Sequence, residues 1–175
     1  MTEDTVIDFD INIRRMMQAL DTSDHIGALL RVHYELDRSL EHVIQMTYPN
    51  PSAVKQNFTG QKLAALSALG VHAKRLKPAT IINSLRNSFA HRGREEITTE
   101  DVTGLLNAVN VILAQPITDD FTIARHSKAN STVTEKTFSA MTAKEKFCIL
   151  GFISIALIAA LSPAAPSSGH NVASA

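Results

Sequence analysis

Tryptophan is absent, cysteine occurs once and aromatic residues make up 5% of the 175 residues. Without Trp and with few other aromatic side chains, Leu, Ile, Val and Ala must do most of the packing, a balance that suits helices better than a β-sandwich. The lone Cys148 excludes an intramolecular disulfide and any Cys-based zinc cage. Charge of one sign is also lacking. Seventeen Lys plus Arg balance seventeen Asp plus Glu, so the chain has no whole-molecule basic field of the kind that drives non-specific nucleic-acid binding. Any nucleic-acid contact must then come from a local patch. Residues 1–10 are acidic and carry no apolar run, so no signal peptide is expected and a cytoplasmic, reducing setting is the natural expectation.

A long hydrophobic run is nearly, but not quite, present. Phe147 to Leu161 carries no charge over fifteen residues, whereas a bilayer-spanning helix needs about twenty and at least about seventeen. Length therefore favours a helix buried centrally or at a dimer interface over a membrane anchor. Hydrophobic residues make up 45% of the chain, enough for one core.

The apolar spacing predicts five to six helices and an all-α fold, a single helical bundle over residues 1–161. The first helix is expected at about 9–20. The longest runs from an N-cap in Asp21-Thr22-Ser23-Asp24 to about Thr47, with Ile26, Leu29, Leu30, Leu36, Leu40, Val43 and Ile44 recurring at three- and four-residue steps. Pro49 and Pro51 end it. A third helix covers roughly 60–69 and stops at Gly70. A fourth is expected to begin near Pro78 and end between His91 and Gly93. Thr98-Thr99-Glu100-Asp101 opens a fifth, and Thr142-Ala143-Lys144-Glu145 is a capping box for the last. Residues 117–140, rich in Thr, Ser, Asp and Asn, read as a long loop or a β-like excursion, and 162–175 as a disordered tail.

The segment Arg86-Asn87-Ser88-Phe89-Ala90-His91 is the best candidate for chemistry. Asn87 and His91 are four apart and share a helix face. Arg86 and His91 are five apart and diverge on an ideal helix, but they converge if the helix ends near Ala90 and Gly93 reverses the chain. Arg86 offers a permanently charged planar fork suited to a phosphate, and His91 a group that exchanges a proton near neutral pH. Asn87 can orient either one. Lys74, Arg75, Lys77, Arg92 and Arg94 could form a local basic rim for RNA, although such residues are more often a solvated face. His25, His33, His42, His72 and His126 are scattered without metal-ligand spacing, so neither a metal nor a cofactor is expected.

Leu85-Arg86-Asn87-Ser88-Phe89-Ala90-His91 resembles the R-N-x-x-A-H form of the R-x4-6-H motif of the HEPN superfamily. Phe58 to Gly70, followed by that helix and then by a late capped apolar helix at 142–161, is similar to the mannitol operon repressor-like proteins within it. The similarity covers residues 24–115 and, more thinly, 142–161. The resemblance implies a small helical bundle that commonly forms a homodimer, with the cleft between the two subunits. It names Arg86 and His91 as the functional pair and Asn87 as their assistant. It also makes Glu35, a polar residue on the long helix, a candidate acidic partner. Two functions are compatible with it: a metal-independent endoribonuclease, or a non-catalytic regulatory or binding module with a protein, nucleotide or nucleic-acid partner. A membrane-tethered protein is the third and weaker alternative. No helix-turn-helix unit with a basic reading helix stands out, so sequence-specific DNA binding is not expected.

Overall fold

The computed structural model describes residues 9–127 and 132–161. The expected tail at 162–175, and most of the acidic N-terminus, lie outside these residues. Among those described, the fold is mostly helical: six α-helices and one two-stranded antiparallel sheet.

Helix α1 (Ile13–Asp21) starts four residues later than its apolar pattern suggests, because the Asn12 side chain caps it by accepting from the Arg15 N–H. Phe9 and Ile11 still pack on the core, ahead of the helix. Helix α2 (His25–Thr47) is the 23-residue spine, capped by Asp24 as the sequence predicts. After a single 3₁₀ turn (Pro51–Ala53), α3 (Thr59–Ala68) ends at Gly70, whose φ of 88° is open to glycine at no steric cost.

Helix α4 (Ala73–Arg92) departs from expectation at its start. It begins five residues before Pro78, with His72 as its N-cap accepting from the Lys74 N–H. Pro78 removes one hydrogen bond of the second turn. Leu76, Pro78 and Ala79 are all buried there, and that packing offsets the loss. At the other end the helix stops where the sequence predicts, at Gly93, in the left-handed region at φ 64°. Helix α5 (Thr99–Asn110) opens with the Thr98/Asp101 capping box.

Residues 117–140 are not a plain loop. They contain β1 (Thr122–Ser127) paired with β2 (Thr132–Thr137), in the register Thr122↔Thr137. The segment is pinned by buried Ile117 and Phe138, by Asn110, whose carboxamide bonds both the N–H and C=O of Ile117, and by the Arg125–Asp21 ion pair. Those anchors are single residues without a period, so the sequence leaves loop and β-like excursion both open, and the structure takes the second.

Helix α6 (Ala143–Ala159) opens with the Thr142/Glu145 capping box and packs against α1, α2, α4 and α5. Phe147, Leu150, Ile155 and Ile158 are buried among Leu29, Leu36, Leu40 and Ile44 of α2, Ile82 of α4 and Leu105 of α5. A Cβ at Gly151 would sit 2.5 Å from Val32 Cγ1, so the missing side chain is what lets α2 and α6 approach so closely. The uncharged run is thus explained by burial. Among the described residues, no helix is long and apolar enough to cross a membrane.

A candidate cleft between the second, third and fourth helices

An open cleft of about 680 Å³ lies where α4 faces α2 and the start of α3. Arg86, Asn87 and His91 all line it, together with Asn83 from the same helix. Convergence does not require the helix to end at Ala90, as the sequence reading supposed. Asn83, Asn87 and His91 form an i, i+4, i+8 stripe, and the long Arg86 side chain reaches the cleft from the flank of that stripe. Arg86 Nη1 donates to Asn87 Oδ1 at 3.3 Å. The His91 ring is exposed, and among the described residues no group hydrogen-bonds it.

The opposite wall contains side chains that the motif does not announce. His33 Nε2 lies 3.2 Å from Asn83 Oδ1 and 3.3 Å from Thr59 Oγ1. Thr59 Oγ1 donates to Asp37 Oδ1 at 2.7 Å, and Lys62 Nζ donates to Asp37 Oδ2 at 2.7 Å and Glu41 Oε2 at 3.0 Å. This row ties α2, α3 and α4 together through polar groups. Burial pushes the His33 imidazole below its ordinary range, and the neighbouring charges of Arg86 and Lys62 act the same way. The bond to Asn83 and the Asp37 carboxylate oppose them without reversing the shift. His33 and Asp37 stand four apart on α2, an i, i+4 signal that was present in the sequence but has no meaning until Thr59 and Asn83 are brought beside it.

Glu35 is not the acidic partner of this cleft. It is fully buried on the other side of α2, where both of its oxygens are taken. Arg15 Nη1 bonds Oε1, while Arg38 Nη1 at 2.8 Å and the Asn12 N–H at 3.4 Å approach Oε2. Two residues along a helix turn the side chain by about 200°, so Asp37 faces the cleft and Glu35 faces α1.

The basic residues are not gathered into one rim. Of the cations singled out in the sequence, Arg86 lines the cleft, and Lys74, Arg75, Lys77, Arg92 and Arg94 do not. Because α4 begins at Ala73, Lys74 and Arg86 are separated by about 18 Å of helix rise. Lys74, Arg75 and Lys77 are exposed on the first turns, and Arg92 is exposed at the last residue. Arg94 is engaged elsewhere, donating to Asp101 Oδ1 at 3.1 Å and lying 5.4 Å from the centre of the Phe89 ring.

The outer lip of the cleft is apolar. Leu30, Tyr34 and Phe58 line it and are 49%, 54% and 70% exposed. Ile26 and Leu30, expected on the buried face of α2, instead continue through Tyr34 as an i, i+4, i+8 surface stripe. Cys148 lies far from this chemistry, buried on α6, where burial pushes its thiol up to about 12. Among the described residues, no three His, Cys, Asp or Glu side chains are placed to hold a metal ion. No protein-family model, curated protein or solved structure matches the chain.

Proposed function

We propose that the chain is a HEPN-like helical protein, similar to the mannitol operon repressor-like branch, that works as a metal-independent endoribonuclease. The observation that carries the reading is the meeting of Arg86, Asn87 and His91 in one open cleft. The resemblance of Arg86-Asn87-Ser88-Phe89-Ala90-His91 to the superfamily motif names the same residues. Arg86, oriented by Asn87, would hold the scissile phosphate and stabilise charge building on it. The 2′-hydroxyl oxygen would attack phosphorus as the bond to the 5′-oxygen breaks, leaving a 2′,3′-cyclic phosphate and a 5′-hydroxyl. His91 would carry one of the two protons in that exchange, from the 2′-hydroxyl or to the leaving oxygen.

A homodimer belongs to the proposal, with the two clefts facing each other. The exposed apolar stripe of Ile26, Leu30, Tyr34 and neighbouring Phe58 supplies surface for the second copy. A cytoplasmic setting, where RNA is at hand, also belongs to it.

The test is cleavage of a mixed RNA pool in EDTA by the wild type and by His91→Ala. The expected outcome is 2′,3′-cyclic ends from the wild type and a loss of about 10²-fold or more in the variant, with an unchanged melting temperature. Equal cleavage by both proteins, or by neither, would sink the nuclease reading. A second reading, a non-catalytic regulatory or binding module, is favoured by the His91 ring, since among the described residues no hydrogen bond holds it in a reactive orientation. That reading expects no cleavage, and a protein, nucleotide or nucleic-acid partner whose binding weakens in Arg86→Ala.

A further inference from the structure

The polar row on the cleft wall fixes which nitrogen of His33 carries hydrogen. Thr59 Oγ1 gives its single proton to Asp37 Oδ1 at 2.7 Å, so it faces His33 Nε2, 3.3 Å away, with lone pairs only. Asn83 Oδ1, 3.2 Å from the same nitrogen, is also purely an acceptor. Two acceptors around one ring nitrogen require a hydrogen on it. The neutral ring is therefore the Nε2–H tautomer, and Nδ1 is left for any second proton. Asp37 is itself held in place by Lys62, which is buried and donates to its other oxygen.

We propose that His33 is a positioning residue for the phosphate-binding turn of α4: its Nε2–H, shared between Asn83 and Thr59, holds the Asn83–Asn87–His91 stripe against α2 and α3 so that Arg86 stands ready over the cleft. The proposal rests on the reading of Arg86 as the phosphate ligand. Asn83 lies one turn before Asn87, and Asn87 in turn accepts from Arg86 Nη1, so the hold on Asn83 passes to the guanidinium through two neighbouring carboxamides on one face. The titratable and charged groups facing His33 are Asp37 and Tyr34 of α2, Lys62 of α3, and Arg86 and His91 of α4. Burial first, and then the cations contributed by both other helices, keep the ring a neutral donor around pH 7 and not a further charge.

His33→Gln keeps an amide N–H at the reach of Nε2, and His33→Leu removes it. In the cleavage assay, His33→Leu is expected to lower kcat at least about tenfold, as a displaced phosphate ligand does, with His33→Gln within about threefold of the wild type. Unchanged kcat in His33→Leu, or equal loss in both variants, overturns the positioning role. If the wild type does not cleave RNA, the nuclease reading fails by itself and a second readout decides this proposal. Inorganic phosphate is titrated while the side-chain nitrogen resonances of Arg86 are followed by NMR. A shift in the wild type and His33→Gln that is lost in His33→Leu supports the proposal. The same shift in all three, or none in the wild type, overturns it. Should His33→Leu fail to fold, Asn83→Ala removes the acceptor instead and is expected to show the same loss, and wild-type behaviour in it overturns the proposal.

Discussion

Glu35 and Asp37 are two residues apart on α2 and have opposite fates. Glu35 is fully buried, and its oxygens are satisfied by two arginines and a backbone N–H. Nothing is left over for a ligand. Asp37 keeps 33% of its side chain exposed, and its partners Thr59 and Lys62 connect it to a row that opens into the cleft. The closed cluster fastens α1 to the spine, and the open one shapes a surface where Arg86 and His91 also arrive. A charge that is completely paired and dry reads as architecture. One that is paired and still partly open to water, beside an open cleft, is a candidate for a site.

The largest expected effect separates the two carboxylates by stability. Glu35→Ala leaves a cavity at a fully buried position and takes the acceptor from the Asn12 N–H and two arginines, and is expected to destabilise the fold by about 3 kcal/mol. Asp37→Ala takes one charge-assisted bond from the buried Lys62, which keeps Glu41 as a partner, and is expected to cost about 1.5 kcal/mol. Chemical denaturation of the two variants measures both. Equal losses would remove the distinction drawn between the clusters.

That distinction also explains what could be read from the sequence. Caps are local, so the starts of α2, α5 and α6 were legible in Asp24, Thr98 and Thr142. The burial of the uncharged run was decided by its length. The start of α4 was not legible, because a proline inside the second turn normally marks a boundary, and only tertiary burial of Leu76 and Pro78 overrides that rule. For the site, Arg86, Asn87 and His91 were legible as a compact motif on one helix. His33, Asp37, Thr59, Lys62 and Asn83 come from three helices and join only through packing. Glu35 and Asp37 are both acidic and lie within one turn, so the sequence does not separate the residue that faces the cleft from the one that faces α1. Only the direction of the α2 core face, set by Leu29, Leu36 and Leu40, distinguishes them.

Lys62→Met sharpens the contrast from the other side. The ammonium is nearly fully buried, yet both of its carboxylate partners reach solvent, so the methionine can fill the slot while Asp37 and Glu41 are rehydrated. Stability is expected to stay within about 1 kcal/mol of the wild type. The uncompensated charge of Asp37 would then stand at the edge of the cleft, and affinity for a phosphate-bearing oligonucleotide should fall. A stable variant with weakened binding supports the assignment of this cluster to the site. A collapse in stability comparable to that of Glu35→Ala would class it with the structural pair.

The smallest effect is a dependence on pH carried by His33 in the open cluster. The folded His33 has its pKa held below the ordinary value of 6.5, chiefly by burial, with Arg86 and Lys62 acting in the same direction. As pH falls below 6.5 the unfolded chain takes up a proton on this ring before the folded chain does, and the unfolded state gains. The contribution of His33 to stability is thus complete above that pH and is lost as pH falls through the folded pKa. Because the ring is partly open to water, the loss is expected to be a fraction of the Glu35→Ala effect. Melting temperatures of the wild type and His33→Gln between pH 8 and pH 5 isolate it, since the glutamine does not titrate. A shallower decline in His33→Gln is the expected outcome. Parallel curves would mean that folding does not shift the ring's pKa, and His33 would then add nothing to the pH dependence of the fold.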